Sequence, residues 1–305
     1  MYDLNTFLTW LYVTADDFVA TLPRMPIKPG RLAALSVSEV ITLSLFAQWA
    51  QFTSERDFYR WAQRHLRPFF PTLPNRSQFN RLSRAYVAQT QAFAVSLADT
   101  EHPLYQVMDG FGVAVRNSRR RGRSWLAGYA NIGLCTRLGW YFGCYLLDSV
   151  TPSGAITGFG LGPASTKDQK MAASFLMQRD LAPPQIPSVG HVYHGYYVMD
   201  KGFSGPHLHQ TWEQTFQIGV VCAPQTGHGE PWPKPWRQWI ATLREIVETV
   251  HDKLLNTFRL SHERPHDISG LLTRVAAKVG LHNFCIAMNR LAGRPDLQFA
   301  DIIAW

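Results

Sequence analysis

The stretch YYVMDKGF, residues 196–203, decides how the rest of the chain is read. An apolar run reaches an acid and then breaks on a lysine and a glycine. Nearly the same pattern stands at YQVMDGF, residues 105–111. A carboxylate that ends an apolar run is costly unless it is paired or metal-bound. Asp109 and Asp200 therefore read as two acids brought to neighbouring edges of one sheet, where α/β folds place their chemistry. Two such acids repel, and each holds its proton tightly unless a cation neutralises the pair. A hard divalent cation such as Mg²⁺ is the natural partner. Taken singly, each acid has a plainer reading, because Asp-Gly is a common hairpin turn and Asp-x-Gly a common loop start. Gly110 and Gly202 read as residues that let the backbone turn away directly after each acid.

Working outward, residues 1 to about 100 read as helical, with no strand. LSVSEVITLSLFAQWA has a serine–glutamate start and helically spaced Val40, Leu43, Phe46 and Ala47. Prolines punctuate this part at Pro23-Pro26-Pro29 and Pro68-Pro71-Pro74. After the second group, NRSQFNRLSR predicts a helix starting at Asn75 or Ser77 that carries Arg76, Arg81 and Arg84. Such a helix start can touch phosphate or base edges, or present an ordinary solvated face.

From residue 101 the pattern turns to strands: LYQVMD, then LGWYFGCYLLDSV and AITGFGLGPAS around the turn Thr-Pro-Ser-Gly. KDQKMAASFLMQRDL predicts a helix, YHGYYVMD and TFQIGVVCA predict strands, and two helices follow a Gly/Pro/Trp-rich loop. The order predicts an α/β layer with a mixed sheet, not a doubly wound repeat.

A third acid lies in the first of those helices. In LREIVETVHDKLLNTF the core stripe is Leu243, Val247, Val250, Leu254 and Phe258. Arg244, Glu248 and Asp252 occupy a neighbouring flank. Glu248 can face the sheet edge, with Arg244 one turn earlier to orient it; a surface Arg–Glu pair of small worth is the plainer reading.

The set Asp109-Gly, Val-Met-Asp200-Lys-Gly and Arg244-x-x-x-Glu248 resembles the Asp-Asp-Glu signature of bacterial insertion-sequence transposases. LSVSEVITLSLF and PNRSQFNR are similar to that family's helical N-terminal region, and GLLTRVAAKVGLHNF to its C-terminal helix, so nearly the whole chain is covered. The 90 residues between the aspartates and the 47 between Asp200 and Glu248 match the compact members. Ala241 stands where many relatives have tyrosine, and Leu255 where they often have lysine, leaving Lys253 and Arg259 as the nearest basic candidates. Asp168, in Ser-Thr-Lys-Asp, takes the place of a His-Asp pair and is an accessory candidate. Glu245 competes with Glu248, but the Arg-x-x-x-Glu spacing favours Glu248.

The resemblance implies an RNase H-like mixed five-stranded sheet flanked by helices over residues 101–305, preceded by a helical DNA-binding and dimerisation region over 1–100. It implies a metal-dependent transposase that nicks insertion-sequence ends and transfers strands into target DNA. Asp109, Asp200 and Glu248 would be both catalytic and metal-ligating, with two Mg²⁺ per site and Mn²⁺ as a substitute. Its partners would be double-stranded DNA, as terminal inverted repeats and target, and a second copy of the chain. No nucleotide cofactor and no membrane are expected. The rivals are a nuclease of the same fold that does not join, and a catalytically silent DNA-binding relative.

Charge agrees with a polyanionic partner. Thirty Lys and Arg against 22 Asp and Glu give a formal charge of +8, mostly from arginine, which forks onto phosphate. The densest cluster is Arg116, Arg119, Arg120, Arg121 and Arg123, read as a hairpin loop on the DNA backbone. Lys201, Arg244 and Lys253 join Arg76 and Arg81 as further DNA-contact candidates. Trp125, Tyr129, Trp232 and Trp236 can stack on an unpaired base or pack in the core. The four cysteines form no CxxC pair, so neither a zinc knuckle nor a disulfide framework is expected. No basic leader opens the chain and no apolar run is long enough to span a bilayer, so a bacterial cytoplasmic, nucleoid-associated protein is expected.

Overall fold

The structure is a computed structural model describing residues 1–23, 33–98, 103–116, 126, 128–180, 194–225, 227 and 230–305. A two-residue strand β1 (Tyr2–Asp3) leads into α1 (Leu4–Thr21), whose first turn is capped by the Asp3 carboxylate. The helices α2 (Val37–Phe46), α3 (Glu55–His65), α4 (Arg76–Ala85) and α5 (Val87–Ser96) follow. Their starts are local chemistry. Ser36 and Glu39 form a reciprocal capping box on α2, while Ser54 and Asn75 cap α3 and α4.

The sheet begins with β2 (Tyr105–Arg116), β3 (Asn131–Cys135), β4 (Gly139–Val150) and β5 (Ile156–Pro163). Then come α6 (Asp168–Asp180), β6 (Tyr196–Met199), α7 (Pro206–Phe216) and β7 (Gly219–Cys222). The chain closes with α8 (Lys234–Asp252), α9 (Ile268–Leu291) and β8 (Ile303–Ala304). The main sheet has the order β3–β4–β2–β6–β7, with β5 also on β4. β4 runs antiparallel to β2, β3 and β5, whereas β2, β6 and β7 are mutually parallel.

Strand alternation sorts the core to two faces. Met108, Leu147, Tyr197 and Met199 pack with Phe175 of α6 and Trp212 of α7. Val107, Phe111, Leu146 and Val198 face the other way, into one cluster with Val247 of α8, Phe284 of α9 and Phe7, Phe46 and Phe93 of the first helices. Buried nearly all round, α9 is the central helix of that side. Its Asn283 amide donates to the carbonyls of Ala94 at 2.8 Å and Ile156 at 2.9 Å, tying α5 to β5 through one side chain.

The architecture is α/β with a mixed sheet, as read, but several boundaries moved. Asp109-Gly110 is no turn: β2 runs straight through it, because the residues on both sides keep pairing with β4. The strand β3 and helix α7 have no counterpart in the reading. Thr215 and Phe216, assigned to a strand, end α7, whose chain reverses at Gln217 with φ 54°. The expected strand-free N-terminus carries β1, which pairs in parallel with β8 through Tyr2↔Ile303. No helix among the described residues is long and apolar enough to cross a membrane.

Candidate active site

In the parallel pair of β2 and β6, Met108 is registered against Met199. The next residue on each strand is therefore an aspartate. Asp109 stays in β2, where its Oδ1 accepts from the Gly110 N–H at 2.8 Å. Asp200 leaves β6 and caps a short 3₁₀ turn over Lys201–Phe203, accepting from the Lys201 N–H at 2.7 Å. Both carboxylates meet Arg244 of α8. Its Nη2 donates to Asp109 Oδ2 at 2.8 Å, and its Nη1 lies 3.3 Å from Asp200 Oδ1. One guanidinium fork thus spans the two acids, the geometry for which arginine is suited. Burial drives the Asp109 carboxyl above the ordinary carboxylate range, against the pull of His251 and Arg244.

Behind Asp109 lies a pair that the sequence reading did not name. Asp148 of β4 is directly opposite Asp109 and fully buried. Two carboxylates facing each other across strands repel. His251, seven residues after Arg244 on α8, puts its Nε2 2.9 Å from Asp148 Oδ1 and stacks near the Phe111 ring. Burial works to lower the His251 imidazole, but Asp148 first, then Asp109 and Glu248, raise it above its ordinary value. His251 thus bonds Asp148 directly, and the charge of Asp109 also favours its protonated form. The available signal was Asp148 itself, an acid sharing alternate positions with Leu146 and Val150 inside an apolar strand.

Gly110 lies in extended β2, whereas Gly202 sits inside the 3₁₀ turn that follows Asp200. A side chain at Gly110 would intrude on the Tyr145 ring, and one at Gly202 on the Asp168 carboxylate. Both glycines leave room for these side chains to approach; the expected turn is found after Asp200 but not at Gly110. The Tyr145 hydroxyl hydrogen-bonds Asp168, and burial followed by the charges of Asp168, Asp109 and Asp148 pushes its phenol far up. It stays a donor. The accessory candidate Asp168, first residue of α6, thus sits between the backbone after Asp109 and the backbone after Asp200.

Glu248 lies one turn beyond Arg244, exposed, and its charge reaches both Arg244 and His251. The arginine expected to orient Glu248 is instead taken up by the two aspartates. Glu245 is also exposed. Among the described residues, no group of three His, Cys, Asp or Glu side chains is placed to hold a metal ion. The donor chemistry of Asp109 and Asp200 nevertheless suits a hard cation, since two carboxylates from adjacent strands already share one positive charge.

The DNA-contact candidates are dispersed. Lys201 is exposed beside Asp200. Lys253 points its ammonium over the Phe299 ring at 5.8 Å, and Arg76 reaches Glu55 at 3.3 Å. Arg81 is exposed on α4. Arg116 ends β2, while Arg119, Arg120, Arg121, Arg123 and Trp125 lie outside the described residues. Trp232, Trp236 and Trp239 form an edge-on ladder with successive centroids 6.4 Å apart, the last two well exposed. Three of the four cysteines are buried and all are free thiols, as expected. Compared with protein-family models, with curated proteins and with solved structures, the chain matches none.

Proposed function

We propose that the chain is an insertion-sequence transposase of the DDE type, cutting DNA at the element's ends and joining the freed strand to target DNA. The observation that carries this reading is the convergence of Asp109 and Asp200, from register-adjacent positions of two parallel strands, on a single cation from α8. Glu248 on the next turn of that helix supports it as third acid. An acid-bearing central strand between one antiparallel and one parallel neighbour supports the RNase H-like assignment.

Asp109, Asp200 and Glu248 would hold two Mg²⁺ ions, with Mn²⁺ able to substitute. Bound there, the metal would supply an activated water or 3′-hydroxyl and stabilise the leaving oxygen. The chain's own residues set the stage. Arg244 bridges two neighbouring carboxylates and offsets their mutual repulsion. His251 shields Asp109 from Asp148. Tyr145 donates to Asp168 and fixes it against Gly202, so the backbones after both aspartates share one rigid support. Arg76, Arg81, Lys201 and the arginines of 116–123 would lie along duplex DNA, bound by a pair of chains.

The test is a cleavage and strand-transfer assay on duplexes carrying the DNA that flanks the gene, with Mg²⁺ and with EDTA. Metal-dependent nicking plus a joined product is expected, abolished by Asp109→Asn or Asp200→Asn, with Glu248→Gln far more damaging than Glu245→Gln. Nicking without joining would favour the nuclease. Full activity in either aspartate variant would end the proposal.

A further inference from the structure

A second feature lies away from the aspartates. An open cleft of about 810 Å³ separates the starts of α3 and α4 from the 258–266 connection and the first half of α9. Seven arginines and one lysine line it, against two glutamates. Like charges gathered this densely repel one another unless solvated or matched by an anion.

The floor of the cleft is built. Lys278 is almost fully buried, and its three protons go to Gln48 Oε1 at 2.8 Å, the Phe258 carbonyl at 2.6 Å and Glu263 Oε1 at 2.9 Å. Glu263 also accepts from Arg274 at 3.0 Å. Burial works to raise the Glu263 carboxyl, but Lys278 and Arg274 hold it below its ordinary value. Glu55 anchors the other wall through Asn80 at 2.6 Å and Arg76 at 3.3 Å. Both glutamates are thus taken up by partners within the cleft. At the rim, Arg56, Arg81 and Arg259 have no carboxylate partner among the described residues. The capped N-termini of α3 and α4 line the same cleft and add their positive ends.

We propose that this cleft docks the phosphodiester backbone of duplex DNA, at a site separate from the aspartates; the inference rests on the DNA-cutting reading above. The rings in the wall, Phe52, Phe79 and Phe258, are buried and offer no face on which a base could stack. Recognition here is therefore by charge to phosphate oxygens, with no base readout, and the rigid floor sets the spacing of the rim arginines.

The test uses the full chain and a fluorescent duplex, read by anisotropy between 50 and 200 mM salt. Arg56→Gln, Arg81→Gln and Arg259→Gln are combined in one variant. Each phosphate contact contributes about 0.9 to the logarithmic salt slope, so wild-type affinity should fall about 40-fold more steeply across that range than the variant's. Arg56→Lys, Arg81→Lys and Arg259→Lys together keep the charge and should keep most of the slope. Unchanged melting temperatures in both variants would exclude misfolding as the cause. A wild-type slope in the glutamine variant overturns the cleft, whether or not Mg²⁺-dependent cleavage is found. Loss of slope without any cleavage by the wild type would keep the cleft and sink the transposase. A variant deficit seen with single-stranded RNA and not with duplex would overturn the choice of ligand.

Discussion

Replacing Arg244 by glutamine removes the guanidinium that Asp109 and Asp200 share, and its cost can be worked out contact by contact. The bond to Asp109 is charge-assisted at 2.8 Å between side chains only 17% and 18% exposed. Breaking a buried pair by removing one partner costs about 3–5 kcal/mol; residual exposure and the retained His251 put this one near the lower end, about 3 kcal/mol. The contact to Asp200 is longer, and that carboxylate is 44% exposed, so solvent screening leaves under about 1 kcal/mol. A loss of roughly 3–4 kcal/mol at neutral pH follows, measurable as a shifted urea midpoint. The pH dependence is the sharper part. Asp109 has its folded pKa raised above 3.8, so its own contribution is favourable below that value and is lost as pH rises through the folded pKa. Arg244 limits that loss only while Asp109 is ionised. The difference between wild type and Arg244→Gln should therefore shrink as pH falls through the Asp109 transition. A destabilisation of the same size at pH 3 and pH 7 would refute the reasoning, since the arginine would then be acting through packing alone.

Two other outcomes test the surroundings of the site. Gly110→Ala should destabilise by about 1–3 kcal/mol, the usual range for overpacking, because the new methyl meets the Tyr145 ring; a neutral result by thermal melting would mean the ring moves freely. Asp148→Asn should lower the His251 pKa, followed by its imidazole NMR shifts, because the largest charge raising it is gone. An unmoved titration would return His251 to ordinary packing.

Much of this site was legible because the sequence repeats a short pattern. Apolar runs ending in Asp109 and Asp200 are local signals, and the Arg244–Glu248 spacing is fixed by the helix that carries it. What stayed hidden depends on partners distant in sequence. The Asp109-Gly110 pair reads as a turn until β4 is known to pair on both sides of it. The function of Gly110 is written in Tyr145, and that of Gly202 in Asp168. Asp148 was visible as an acid in an apolar strand, but only the register against Asp109 gives it meaning. The cleft is further still from local reading: its floor joins Gln48 to Lys278, 230 positions apart.

The burial of α9 against α2, α4 and α5 has a consequence for how the chain is made. The helices of the first hundred residues pack on one another and complete their apolar cover against Phe284, Leu281 and their neighbours. On the ribosome these residues emerge about 190 positions after α5, roughly 10–40 s later at ordinary elongation rates. Until then the faces of α2 and α5 that meet α9 lack that cover. The core of the first third of the chain is thus completed only by residues made in the last.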